Sequence, residues 1–302
     1  MRIGVDIGGS KIEVAALDQD GSIRQRRRSA TPAGDYGALI HAVKTMVEGI
    51  EGELGTRASV GVAIPGALSL ATGLVKNANS TCLNGRPFDR DLMAALGRKL
   101  RFANDANCFA LSEATDGAAR GASVVFGVIL GTGVGGGIVV DGKLLTGPNA
   151  IAGEWGHSPL PWPRDDERPG PLCYCGKRGC IESFLSGPSL ARDHRTATGE
   201  TAEPAAIAAR AAQGDPAAQA TFERYVDRLA RSLATVINLL DPEVIVLGGG
   251  VGQITELYGA VPQRWGAWVF SDTVSTKLVP PRWGDSSGVR GAAWLWPQDT
   301  AP

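Results

Sequence analysis

Two stretches of the chain share one pattern of apolar and small residues. Residues Gly4 to Gly21 read as an apolar strand, a Gly-Gly-Ser turn, a second apolar strand and an Asp-Gly hairpin signal. Gly127 to Gly142 repeat that order, with Gly131-Thr132-Gly133 at the turn. A repeated strand–turn–strand unit predicts a duplicated, two-lobed fold with the glycine turns facing each other across a cleft. Elsewhere the pattern predicts a helix over 35–54, a strand at Val60–Ile64, a helix near 89–98, a strand at Leu100–Ala103 and a helix from Asp105. Phe222, Tyr225, Val226, Leu229, Leu233, Val236 and Ile237 recur at helical spacing, so a core-facing helix is expected over 216–240. The apolar run Val244–Leu247, closed by Gly248, Gly249 and Gly250, reads as a buried strand, and a last helix from Val289 stops near Pro297. Four prolines between 161 and 171, among many charges, predict a surface loop. Strands alternating with helices define an α/β protein. The repeat sets a boundary near 118, giving a small lobe of residues 1–118 with 289–302 and a large lobe of 119–288.

Charge narrows the picture by exclusion. The 302 residues carry 30 basic and 31 acidic side chains, a net charge of -1, so no nucleic-acid partner is expected. The basic run Arg24–Arg28 falls where a strand should end and reads as a solvated edge. No signal-like segment follows Met1, and no apolar run approaches the ~20 residues that span a bilayer, so neither export nor a membrane is expected. Three of the five cysteines crowd between 173 and 180. Without an export signal that spacing points to metal binding before disulfides, and to a reducing cytoplasm.

Two familiar glycine motifs fail on context. Gly131-x-Gly133-x-x-Gly136 has dinucleotide spacing but runs into a strand, where that fingerprint needs a helix. Gly4 to Lys11 has the wrong Ser-Lys order for a phosphate-binding P-loop, and no helix follows. Each turn alone is satisfied by a tight β-turn. Paired, and joined by the third turn at 248–250, they read as anion-binding loops, with glycine backbone approaching phosphate and Ser10, Lys11 and Thr132 adding donors.

Asp6 to Lys11, Asn104-Asp105-Ala106-Asn107, Gly131 to Gly137, Gly153-Glu154-Trp155-Gly156-His157 and Cys173 to Glu182 together resemble the motifs of the ROK family of bacterial sugar kinases and repressors. The resemblance runs from residue 3 to about 296. It implies an actin/hexokinase-like ATPase fold, with two ribonuclease-H-like lobes and an inter-lobe cleft, using ATP with Mg2+. It implies Asp105 as the general base, and Asn104, Glu154, His157 and Glu182 as sugar contacts. Asp6, Gly8, Gly9, Ser10, Lys11, Gly131, Thr132, Gly133, Gly249 and Gly250 would hold nucleotide phosphates, Asp6 through Mg2+ and water. His157, Cys173, Cys175 and Cys180 would form a closed structural zinc site, with the second His157 nitrogen aimed at the sugar. A homodimer is expected.

The segments Lys76–Ser80, Asn84–Phe88, Glu154–Trp162 and Gly284–Trp296 look most like the fructokinase (mannofructokinase) branch, which implies transfer to the 6-hydroxyl of fructose, with mannose a second acceptor. Against that branch stands Cys82, where a Trp is expected. N-acetylglucosamine or other amino-sugar kinases and glucose kinases of the same family are the alternative. A non-catalytic sensor or repressor is the alternative of another class, although a repressor's helix-turn-helix segment would precede the first glycine motif, which here begins at Asp6.

Overall fold

A computed structural model of the chain describes residues 1–297, apart from 33 and 79. The chain divides into two compact units. The first holds Met1–Arg120, Gly142–Ala152 and the described residues 282–297. Residues 142–152 and 282–288, which the sequence reading put in the larger lobe, thus belong with the first unit. The buried carboxylate of Glu113 draws in the second of these segments by accepting from Arg282 N at 3.0 Å and Ser287 Oγ at 2.7 Å.

In the first unit β1 (Arg2–Ile7) and β2 (Lys11–Leu17) form the hairpin, and β3 (Ile23–Ala30) extends it antiparallel. Strands β4 (Ser59–Ile64) and β5 (Arg101–Asn104) add in parallel, for the order β3-β2-β1-β4-β5. Helix α1 (Tyr36–Leu54), capped by Asp35, lays Leu39, Val43 and Val47 on Val5, Val14 and Val60, and α2 (Phe88–Leu96) adds Phe88 and Leu92 to this core. The basic run proves to lie inside β3, not at its end. It suits an edge strand because Arg28 reaches the buried carboxylate of Glu13 at 2.7 Å, directly across the register, while Arg27 pairs with Glu53.

Two further helices set the site. Helix α3 (Asp105–Thr115) follows β5 without a loop, and α7 (Ser287–Trp294) lies on the strand backbones. A Cβ at Gly4 would stand 1.8 Å from Val289 O, and one at Gly61 1.9 Å from Ala292 O. Backbone meets backbone there, so no side chain fits.

The second unit holds Gly121–Asp141 and Gly153–Pro281. Its hairpin is β6 (Val124–Leu130) with β7 (Val134–Val140), and β8 (Val244–Gly248) and β9 (Lys277–Val279) add in parallel, in the order β7-β6-β8-β9. Gly131–Gly136 therefore passes from strand to strand, which disposes of a dinucleotide fingerprint. Helix α6 (Pro216–Leu240), capped by Asp215, packs Tyr225, Leu229 and Leu233 with Val128, Leu130, Ile245 and Leu247. Helices α4 (Gly187–Thr198) and α5 (Pro204–Ala212) escape the sequence reading because Gly187-Pro188 and Glu203-Pro204 look like breaks. Proline is tolerated in a helix's first turn, where its missing N–H is no loss.

The proline-rich loop lies at the surface, as expected, but one of its charges is buried and anchors it. Glu167 is only 6% exposed, and it receives Arg231 Nη2 at 2.8 and 2.9 Å and Arg228 Nε at 2.8 Å. Burial alone would raise its pKa, but the two guanidinium groups outweigh it and hold the carboxyl at about 2. Among the described residues no helix is long and apolar enough to cross a membrane.

The helix-on-backbone contact is directly testable by urea unfolding. Gly4→Ala should destabilise by about 2–4 kcal/mol through overpacking. Gly52→Ala on α1, where a Cβ meets nothing within 4 Å, should stabilise by up to about 1 kcal/mol. Equal effects of the two substitutions would refute the contact.

Candidate active site and metal centre

In the first unit the β1–β2 turn is closed by Gly8 N donating to Lys11 O at 2.9 Å. Thr31 braces it from β3's end, Oγ1 to Gly8 O at 2.8 Å and N to Ser10 O at 3.0 Å. The Gly8 amide is thereby spent on shaping the turn, and Gly9 and Ser10 form its exposed tip. Lys11 lies 3.7 Å from Asp285 on the surface.

Asp6 stands one residue before the end of β1, opposite Glu13 in register and against Gly288, where a Cβ would meet its Oδ2 at 2.4 Å. Burial, then the charges of Asp105 and Glu13, push its pKa up to about 7 against the pull of Lys11. Asp105 opens α3. Asn104 provides the cap, its Oδ1 accepting from Asn107 N at 3.1 Å and its Nδ2 donating to Asp105 Oδ1 at 2.8 Å. Ala106 N also donates to Asp105 Oδ1, at 2.8 Å. Asn104 thus fixes the orientation of the Asp105 carboxylate. Cys108, one turn further on and fully buried, has its thiol raised well above the usual range by burial and by Asp6 and Asp105, which makes it a packing residue.

In the second unit Gly131 N donates to Gly133 O at 2.9 Å, and Thr132 is exposed at the tip. Gly249, at φ 80°, brings its turn against the end of β6, where a Cβ would meet Leu130 O at 2.4 Å. Gly250 beside it has open space around it. The two glycine turns therefore lie side by side, with backbone exposed at both tips.

His157, Cys173, Cys175 and Cys180 converge, their ligand atoms all within 4.8 Å of one another. Cys173 Sγ lies 3.6 Å from His157 Nδ1, and Cys175 Sγ 3.6 Å from Cys180 Sγ. A tetrahedral ion with Zn–S near 2.3 Å and Zn–N near 2.0 Å requires edges of roughly 3.5–3.8 Å, so the set fits a closed metal site. Gly176 at φ 86° and Gly179 at φ 74° turn the loop between the thiols. Burial raises the Cys173 thiol and pushes Cys180 up to about 12, while the Lys177 amide lowers Cys175. Two of the three thiols thus gain from a bound cation to become thiolates.

Glu154 caps the 3-10 turn Trp155–His157 and His157 ends it, three residues on, hence on one side. His157 Nδ1 faces the thiols, and its Nε2 meets Tyr174 Oη at 2.9 Å. Tyr174 was not singled out from the sequence, since an aromatic between two cysteines carries no signal of its own. Burial, then Glu182, Cys173 and Glu154, push its hydroxyl up to about 12. The two carboxylates therefore lie near that hydroxyl. Glu182 Oε2 accepts from Val134 N at 2.9 Å, behind the glycine turn.

The marks used to choose a sugar branch are structural. Trp155 is 8% exposed, edge-on to Phe126 at 5.6 Å, and bonds Gly135 O at 3.0 Å, so the core sets its identity. Asn84 spends its amide on Ala78, at 2.8 and 3.0 Å, and Cys82 packs on the first unit's core. Asn79 lies outside the described residues.

The chain belongs to the ROK family, whose pattern matches residues 2–299. It is 42% identical over 299 residues to an N-acetyl-D-glucosamine kinase of Erwinia tasmaniensis, covering 98% of this chain and 99% of that one. It is 40% identical over 297 residues to the N-acetylgalactosamine kinase AgaK of Shewanella sp. strain ANA-3, covering 98% and 96%. A ROK family glucokinase from Streptomyces griseus, solved with glucose and AMPPNP, superposes with a TM-score of 0.77 at 30% identity, covering 97% and 98%. The two relatives bear N-acetylhexosamine names, which favours the amino-sugar alternative over the fructokinase branch.

The raised Asp6 carboxyl has a stability consequence. Its ionisation in the folded protein carries a cost that is absent below about pH 4, accumulates up to about pH 7 and is complete above that. Asp6→Asn should raise the melting temperature, and by more at pH 8 than at pH 5. An equal gain at both, or a loss at pH 8, would contradict the assignment.

Proposed function

We propose that the protein is an ATP-dependent kinase of N-acetylhexosamines, N-acetylglucosamine or N-acetylgalactosamine, acting on the primary hydroxyl. The observation that carries the choice of sugar is the identity of 40 and 42% to two kinases of those sugars over 98% of the chain. Asp105, oriented by Asn104, supports the chemistry: the acceptor O–H gives its proton to this carboxylate as the new P–O bond forms and ADP leaves. The raised Asp6 carboxyl suits a group that meets the cation entering with ATP, because a divalent ion favours its ionised form. The exposed turns at Gly9-Ser10, Gly131–Gly133 and Gly249-Gly250 would bind phosphates through backbone N–H groups. Glu154, His157 and Glu182 would discriminate sugar hydroxyls, since a mismatched hydroxyl leaves a buried partner unpaired.

Zinc, held by His157, Cys173, Cys175 and Cys180, would be structural, because four protein ligands leave no position for water. Its contribution is to fix the His157 tautomer, with Nδ1 on the metal and Nε2–H as a donor. Nε2 now pairs with Tyr174 Oη at 2.9 Å, so a sugar hydroxyl bound there would replace that tyrosine.

The test is a coupled ADP-release assay across N-acetylglucosamine, N-acetylgalactosamine, N-acetylmannosamine, glucose, mannose and fructose. An N-acetylhexosamine should give the highest kcat/KM; a preference for fructose or mannose would restore the other branch, and no sugar-dependent release would refute a kinase. Asp105→Asn should lower kcat by about 10^3-fold or more and leave sugar affinity within about 3-fold. A normal kcat in that variant would remove Asp105 from its role.

A further inference from the structure

Glu182 is placed to do more than touch a sugar. It follows Cys180 by two residues and opens the short helix Glu182–Leu185. Its Oε2 accepts the Val134 N–H at 2.9 Å, the first amide after the Gly131–Gly133 turn. A Cβ at Gly133 would come within 2.7 Å of that oxygen, so the carboxylate is packed on the turn's backbone. Its Oε1 lies 3.9 Å from Cys173 Sγ, on the metal-loop side. The main chain adds two more ties: Gly187 N donates to Gly131 O at 2.8 Å, and Ser186 N to Glu182 O at 3.1 Å. Ile181 N is itself fixed to Ser158 O at 2.9 Å, next to His157.

We infer that Glu182 is a positioning residue for the Gly131–Gly133 turn, through which the Cys3His loop sets the affinity for nucleotide phosphates. The inference rests on the proposed reading of that turn as a phosphate loop. Physically, a glycine turn has few side-chain contacts of its own to hold its amides in one direction. Preorganised donors bind an anion better than donors that must first be ordered. The bond from Glu182 to Val134 supplies that order, and the loop that ends in Cys180 fixes where Glu182 stands. Removing the carboxylate, or the metal that closes the loop, should loosen the turn without touching a base or ribose contact.

The experiment is calorimetric titration of ADP and of adenosine, without sugar, into the zinc-loaded protein, the chelated protein and the zinc-loaded Glu182→Ala variant. Metal content is measured alongside. Loss of one charge-assisted hydrogen bond corresponds to about a 10-fold weakening. ADP should bind about 10-fold more weakly to Glu182→Ala and to the chelated protein, with adenosine affinity unchanged in both. Unchanged ADP affinity in Glu182→Ala, with zinc retained, would overturn the inference. Parallel loss of adenosine binding would overturn it too, since the effect would then be general disorder of the unit. If the unaltered protein binds ADP no better than adenosine, the phosphate-loop reading itself fails, which is a separate and recognisable outcome.

Discussion

Where α7 crosses β1 and β4, the carbonyls of Val289 and Ala292 occupy the space that side chains at Gly4 and Gly61 would need. This backbone contact carries much of the first unit's architecture. A helix standing on side chains would lie several ångströms further out. Because α7 sits so low, its Gly291 in turn admits the backbone of Cys108 on α3, where a Cβ would stand 1.7 Å from the Cys108 carbonyl oxygen. The N-terminus of α3 then falls close enough to β1 for Asp105 to raise the Asp6 carboxyl. Two carboxylates brought together away from solvent are costly. Such a site is stabilised elsewhere, here by the Asp116–Arg290 pair and by Arg282 N, Trp283 N and Ser287 Oγ donating to Glu113, which bind the far end of α3 to α7 and the segment before it. Stability is given up at the paired carboxylates and recovered a helix-length away.

The second unit solves a different problem. Its segment 153–181 contains little regular structure, only short 3-10 turns and two isolated bridges, Pro159 with Cys180 and Leu172 with Arg178. Such a segment has few backbone ladders to hold it. Its middle is fastened by the Glu167 carboxylate on Arg228 and Arg231, and its two ends converge at His157 and the cysteines. That convergence leaves His157 and Tyr174 in contact, with Glu154 and Glu182 near the Tyr174 hydroxyl.

How much of this was legible depended on whether a signal is local. The hairpins at both glycine turns, α1, α6 and β8 were readable because strand and helix periodicity and capping residues such as Asp35 and Asp215 act over a few positions. The Cys3His set was readable because three thiols crowd within eight residues and Gly176 and Gly179 punctuate them. Helices α4 and α5 were hidden by prolines that suit a first turn as well as a break. The burial of Glu167 was hidden because its partners on α6 lie some sixty positions away (61 and 64). The choice of sugar was weakly legible for a related reason. Trp155 packs on Phe126 and Asn84 holds a loop on Ala78, structural duties that account for both residues without a substrate.

The account stands or falls on where the phosphoryl group goes. The most direct measurement is 31P NMR of the product formed from ATP and an equimolar mixture of N-acetylglucosamine, N-acetylgalactosamine and fructose. The account predicts one dominant phosphomonoester of an N-acetylhexosamine, its phosphorus split into a triplet by the two protons of a CH2–O group. A dominant fructose phosphate, a doublet from a ring or anomeric ester, or inorganic phosphate alone would contradict it.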